Sequence, residues 1–206
     1  LFRSWPTPLA AIQILWLNLV TDGLPALALG LEPPEGDIMT RPPRPPEEPV
    51  ITARRGLVIL AHGALVALVT LGGFWFMWRG SRDPAVIAHA QTMTFCVAAF
   101  AQLFFAIGCR SERQTALEIG FFRNPALLAA IAISSLLQVA VVTLPFTRPV
   151  FEVQTDLGRE WLLVFALALV PLAVVEAGKR LRLSRRPLDP PPASRRAAAR
   201  SRRPAR

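Results

Sequence analysis

Charge is what this sequence has least of for its size. Asp, Glu, Lys and Arg make up 18% of its 206 residues while 52% are hydrophobic, against roughly a quarter charged in a soluble globular domain. An ordinary water-soluble fold is therefore not the expectation. Cysteine is scarcer still. Cys96 and Cys109 lie thirteen positions apart with no CxxC and no Cys/His ligand spacing, so neither a disulfide framework nor a zinc centre is expected to organise the chain. Period-two alternation is missing from the apolar stretches, which argues against a barrel. A GxxxxGK[ST] loop is also missing, so no P-loop nucleotide site is expected. The chain opens on Leu1, and no basic run followed by a short apolar one marks a cleavable signal. The expectation is a segment of a longer protein.

What is present is a series of long apolar runs. A bilayer core about 30 Å thick needs about 20 mostly apolar residues per helix, and five runs meet or approach that length: Leu9 to Leu31, Leu57 to Trp78, Gln91 to Cys109, Pro125 to Phe146 and Glu160 to Gly178. Lipid offers backbone groups no partners, so runs of this kind are read as helices. The fold class is all-α: a polytopic transmembrane bundle of five spans in residues 1–183, followed by a disordered basic tail in residues 184–206. The connectors fit, since DIMTRPPRPPEEP is too rich in proline and charge to continue a helix, and SRDP, CRSER, FRNP and FTRP punctuate the later boundaries. Trp75, Trp78 and Trp161 suit an aromatic belt at the membrane surface.

Basic residues exceed acidic ones by 23 to 14, a formal charge of +9, and eleven of the basic residues lie between Lys179 and Arg206. Lys and Arg gather on cytoplasmic loops. Arg41, Arg44, Arg54 and Arg55 follow the first span and Arg110, Arg113 and Arg123 the third, whereas the other side holds Arg79, Arg82, Arg148 and Arg159. The long first loop and the C-terminus are accordingly placed in the cytoplasm. From about Leu183 onward the tail offers little to bury and is read as disordered. Contact with anionic lipid headgroups is its functional alternative. Nucleic acid is not an expected partner, since no aromatic platform or recognised binding motif accompanies the arginines.

The first span carries the run NLVTDGLP. A carboxylate inside a membrane is costly and marks a functional site by default, and Asp22 is such a carboxylate. Asn18, Thr21 and Asp22 stand at i, i+3 and i+4, which in an α-helix places them on one face. Together they offer the oxygen donors that hard cations such as Ca²⁺ prefer, though fewer than the six to eight calcium takes. Gly23 and Pro25 follow, and proline's missing N–H is expected to kink or unwind the helix and free carbonyls beside Asp22. A second reading stays open here, with Asp22 marking a helix end and Gly23 and Pro25 its stop.

The segment PLAAIQILWLNLVTDGLPALALGLEPPEGDIMTRPPRPPEEPVI resembles the sixth transmembrane helix and following cytoplasmic loop of type II P-type ATPases, and a weaker likeness continues to about Leu183 in the order of helices six to ten. The resemblance is calcium-pump-like and of bacterial type. It implies that Asn18, Thr21 and Asp22 are calcium ligands and that the loop from Glu32 to Ile51 couples cytoplasmic domains to the first span. It also implies that Gln102, standing where related pumps carry a glutamate, is a neighbour of a single ion and not a core ligand. An amide hydrogen-bonded between helices is the other reading of Gln102. The family's DKTG and TGE strings do not occur. ATP and Mg²⁺ therefore belong to the full-length pump, as do the partners this chain would need: the N-terminal part with helices one to five and the cytoplasmic domains, and the lipid bilayer. Alone, the chain is expected neither to hydrolyse ATP nor to transport. The alternatives are a stand-alone non-catalytic membrane protein or degenerate pump remnant, and a five-span channel or secondary transporter, which would show an internal repeat that is not seen.

The remaining polar residues have simpler expected roles. Gln13 and Gln138 should bond between helices, and Ser134 and Ser135 to their own backbone. His62 is expected as a neutral imidazole near the interface, Glu176 as an interfacial ion pair with Lys179 and Arg180, and Gly72 and Gly73 as points of close helix approach.

Overall fold

The computed structural model describes residues 5–34, 39, 49, 51–153 and 157–184. Most of the charged first loop and the tail beyond Ser184 lie outside these residues, as do the expectations placed on them. The first spanning helix runs Ala11–Leu29 and has three parts: α1 (Ala11–Trp16), a π-helical stretch (Leu17–Asp22) and α2 (Gly23–Leu29). The other long helices are α3 (Ala53–Trp78), α4 (Pro84–Gly108), α6 (Pro125–Thr143) and α8 (Trp161–Ser184), with the short helices α5 (Ala116–Ile119) and α7 (Arg148–Phe151) between them. Apart from two short 3-10 helices at Phe121–Arg123 and Gly158–Glu160, the described residues are otherwise mainly turns and irregular backbone, and five helices are long and apolar enough to cross a membrane.

Local chemistry sets the helix ends. Thr52 caps α3 by accepting from Arg55 N, and Asp83 caps α4 by accepting from Ala85 N, with Pro84 in the first turn, where its missing N–H costs nothing. That cap is why α4 begins at Pro84, ahead of the purely apolar run that starts near Gln91. Thr115 and Glu118 form a capping box on α5. Asn124 caps α6 through Oδ1, which accepts from Leu127 N at 2.9 Å.

α4 is the axis of the bundle. Met93, Phe95, Cys96, Val97, Ala99 and Ala101 along it have essentially no exposure, and α3, α8, α6 and the first span all pack against it. Leu57, Leu60 and Leu68 on α3 and Leu162 and Leu169 on α8 point outward instead, as lipid-facing positions do. Gly73 brings α3 and α8 together, since a Cβ there would lie 3.3 Å from Leu167 Cδ1, whereas one at Gly72 would meet nothing within 4 Å. Of these two glycines, only Gly73 is a point of close approach. Trp75 is half-exposed, but Trp78 is buried with its indole donating to the Ser81 carbonyl, and Trp161 stacks on Phe165 and meets Phe100 edge-on.

One end of the bundle is laced by buried polar groups. Arg110 forks onto Glu32 at 2.8–3.0 Å and donates to Gly120 O, while Asn124 Nδ2 reaches both Ala28 O and Glu32 Oε2. Lys179 donates to Gly108 O and pairs with Glu176, whose other oxygen accepts from Ala116 N. Glu176 is expected to pair with Lys179 and Arg180; the ion pair with Lys179 forms at 2.8 Å, and the two residues together also staple the end of α8 to α4 and α5. The reason is geometric, because Lys179 can reach the carbonyl that ends α4 only by lying inward.

Candidate functional site

The site begins with the break in the first helix. The sequence suggested unwinding at Gly23 and Pro25, but helical backbone continues from Ala11 through Leu29, and the irregularity is the π stretch Leu17–Asp22 just ahead of them. A π turn bonds each N–H to the carbonyl five residues back. In that register the partner of the Val20 carbonyl would be residue 25, which is proline and has no N–H. The Val20 carbonyl accepts a hydrogen bond from Ser134 Oγ on α6 at 2.9 Å. Ser134, expected to bond its own helix, instead spans two helices and is fully buried.

The π stretch also redistributes the three candidate ligands. Its wider turn moves positions three apart further round the axis than in an α-helix, so Asn18, Thr21 and Asp22 do not share one face. Asn18 and Asp22 are exposed, while Thr21 is 1% exposed. Among the described residues neither Asn18 nor Asp22 has a hydrogen-bond or ion-pair partner. Thr21 turns inward, its Oγ1 lying 2.6 Å from Leu17 O and 2.9 Å from Gln102 Oε1. One hydroxyl carries one proton, so the two acceptors compete unless the Gln102 amide presents its NH₂ to Thr21. In either arrangement Gln102 on α4 is an interhelical partner of Thr21.

The arrangement offers a carboxylate and an amide opening outward from the middle of a spanning helix, backed by a hydroxyl and a second amide. Among the described residues no three His, Cys, Asp or Glu side chains come together. Asn18 and Asp22 would therefore have to share an oxygen-liganded cation with groups from elsewhere. A groove of about 490 Å³ between α3, α4 and the first span is lined by Leu17, Val66, Thr70, Ala98 and Gln102 among others, and neither Asn18 nor Asp22 lines it. Thr70 Oγ1 within it has no hydrogen-bond partner among the described residues, a feature nothing in the sequence signals.

Other polar side chains brace the helix that carries the site. Gln13 donates to Phe151 O and accepts from Ala10 N, and Trp16 Nε1 donates to Gln138 Oε1 at 2.9 Å. Below the site, Glu32, Arg110 and Asn124 hold the end of α2. Burial alone would raise the Glu32 carboxyl, but hydrogen bonds from Arg110 and Asn124 and the charges of Arg110 and Arg123 bring it below its ordinary 4.5. Sequence reading missed this clamp, because Glu32, Arg110 and Asn124 sit in three different loops and only the fold brings them together.

Residues 6–181 match the family described as "Cation transporting ATPase, C-terminus". The chain is 39% identical to a calcium-transporting ATPase of Bacillus subtilis (strain 168) over 170 residues, covering 81% of this chain and 18% of that protein. It is 34% identical to calcium-transporting ATPase 1 of Bacillus cereus, covering 84% of this chain and 21% of the relative. It is 38% identical to calcium-transporting ATPase type 2C member 2 of Rattus norvegicus, covering 79% and 17%. The chain thus spans about a fifth of the length of these curated relatives.

Proposed function

This chain belongs to the family of the C-terminal membrane region of P-type cation-transporting ATPases, and on that premise we propose that it is the membrane half of an ATP-driven calcium pump. Asn18 and Asp22 supply part of the intramembrane ion site. The observation that carries the reading is the Asp22 carboxylate, unpartnered among the described residues, at mid-span beside a π break, with Asn18 one turn before it. A charge so placed is retained where it has a cation to meet. Calcium is the ion because the relatives are calcium-transporting and the donors are hard oxygens. Thr21, bonded to Gln102, contributes to the wall of the site. The neutral Gln102 amide accords with one ion per cycle.

The remaining ligands, the phosphorylated aspartate and the ATP and Mg²⁺ chemistry belong to the full-length protein, and this chain alone neither hydrolyses ATP nor transports. Glu32 begins the loop that couples the cytoplasmic domains to the first span. The C-terminus lies in the cytoplasm of a bacterial plasma membrane, a reading supported by the basic residues from Lys179 onward. In the full-length protein Asp22→Asn should abolish calcium-activated phosphorylation from ATP. An unchanged calcium affinity in that variant would remove Asp22 from the site.

A further inference from the structure

The Ser134 hydroxyl is the one side-chain donor among the described residues that reaches the backbone of the π stretch from another helix. Its acceptor, Val20, lies between Asn18 and Asp22. Proline at position 25 deprives the Val20 carbonyl of the donor that would close the next π turn. An α-helix can be restored there only by rotating the residues ahead of it, and that rotation would carry Asn18 and Asp22 round the axis. Ser134 is held for its task, since α6 is capped at Asn124, which in turn grips Ala28 O and Glu32 at the end of the same spanning helix. The first span is therefore tied to α6 at two levels, one at the π stretch and one at its end.

We propose that Ser134 is a positioning residue for the cation site: by donating to the Val20 carbonyl that Pro25 leaves without a helical donor in the π register, it fixes the π geometry that aims Asn18 and Asp22 outward together. Ser134 touches no ion and acts through the backbone. The inference rests on the cation-site reading above, and the test separates the two.

The experiment uses the full-length protein in membranes, with phosphorylation from ATP titrated against free Ca²⁺ and phosphorylation from inorganic phosphate measured without Ca²⁺. Ser134→Ala should lower apparent calcium affinity about threefold to fifteenfold, the range spanned by one interhelical hydrogen bond in a membrane bundle. Phosphorylation from inorganic phosphate and the maximal level from ATP should stay near normal. Ser134→Thr, which keeps the hydroxyl, should restore affinity. In a Pro25→Ala background position 25 regains an N–H for Val20, so adding Ser134→Ala should shift affinity much less than it does alone. Equal shifts in both backgrounds, no shift in either, or a uniform loss of both phosphorylation reactions at unchanged affinity would each overturn the positioning role. Should Asp22→Asn keep normal calcium affinity in the same assay, the cation-site reading falls instead, whatever the serine variants do.

Discussion

Thr21 and Gln102 meet across two helices, the threonine hydroxyl 2.9 Å from the glutamine Oε1 and 2.6 Å from the Leu17 carbonyl of its own helix. Because the hydroxyl has a second acceptor one turn back, losing either partner leaves it satisfied by the other. Asp22 has no such substitute. The two neighbours should therefore behave differently when altered, although both sit in the same short motif.

Thr21→Val should cost about 0.6–1.7 kcal/mol of bundle stability, the range for single side-chain hydrogen bonds in membranes, and lower calcium affinity only modestly. Asp22→Asn, whose side chain is exposed on the open side of the helix, should leave thermal unfolding in detergent almost unchanged while abolishing calcium activation. Parallel melting curves and calcium titrations on the full-length protein check both. Comparable losses of stability in the two variants would contradict the placement of Asp22.

The clamp below the site predicts a pH dependence. Glu32 has its carboxyl held below its ordinary 4.5 by Arg110 and Asn124, so the folded state binds the proton more weakly than the unfolded chain. That contribution to stability is fully present above about pH 4.5 and is lost as pH falls through the depressed folded value. Thermal stability should decline over that acidic range, and Glu32→Gln should flatten the part of the decline due to this group. Arg110→Ala should be the harsher change. The Arg110 side chain is 2% exposed against 15% for Glu32, and removing one member of a buried pair costs about 3–5 kcal/mol. Arg110→Lys should rescue poorly, because one ammonium cannot fork onto Glu32 while also reaching Gly120 O. A lysine variant as stable as the parent would show that charge alone holds the clamp.

The order of the five spans was legible because each run is long, apolar and bounded by proline or charge. Asn18 and Asp22 were legible for a different reason: a carboxylate stands out wherever everything around it is apolar. What the sequence could not show was register. Spacing of i, i+3 and i+4 puts Thr21 beside Asn18 and Asp22 only if the helix is α, and the π stretch turns Thr21 inward toward Gln102. Ser134 looked like a residue satisfied by its own turn, since nothing in its neighbourhood along the chain signals Val20, more than a hundred residues away. Gly72 and Gly73 were indistinguishable until α8 was seen to pass over Gly73.

Those two glycines make a clean pair of variants. At Gly72 nothing lies within 4 Å of an added Cβ, so Gly72→Ala should stabilise α3 by up to about 0.5–1 kcal/mol through helix propensity. At Gly73 the Cβ meets the end of the Leu167 side chain at 3.3 Å, a flexible neighbour that can yield to a methyl but not to a larger group. Gly73→Ala should be close to neutral and Gly73→Leu should wedge α3 from α8, a cost of about 1–3 kcal/mol by the usual scale of overpacking. Thermal unfolding of the three proteins in one detergent orders them. A Gly72→Leu variant as damaged as Gly73→Leu would contradict the open surface at Gly72.

Trp16 and Gln138 offer a stricter test of how the site-bearing helix is held. The indole N–H donates to Gln138 Oε1 at 2.9 Å, and Gln138 is fully buried, with its own NH₂ 4.0 Å from Cys96 Sγ. Gln138→Leu deletes the acceptor and strands the Trp16 donor on the inner side of the helix that carries Asn18 and Asp22. An unpaired buried donor costs about 1–3 kcal/mol, whereas replacing both partners with apolar groups of similar shape can be nearly neutral. Gln138→Leu alone should therefore lower the melting temperature. Adding Trp16→Phe, which removes the donor and keeps an aromatic ring against Phe151, should recover much of the loss. If the double variant is less stable than the sum of the single effects, the indole contributes through packing against Phe151 and not through its hydrogen bond. In that case Gln138 would not be what fixes the rotation of the first span.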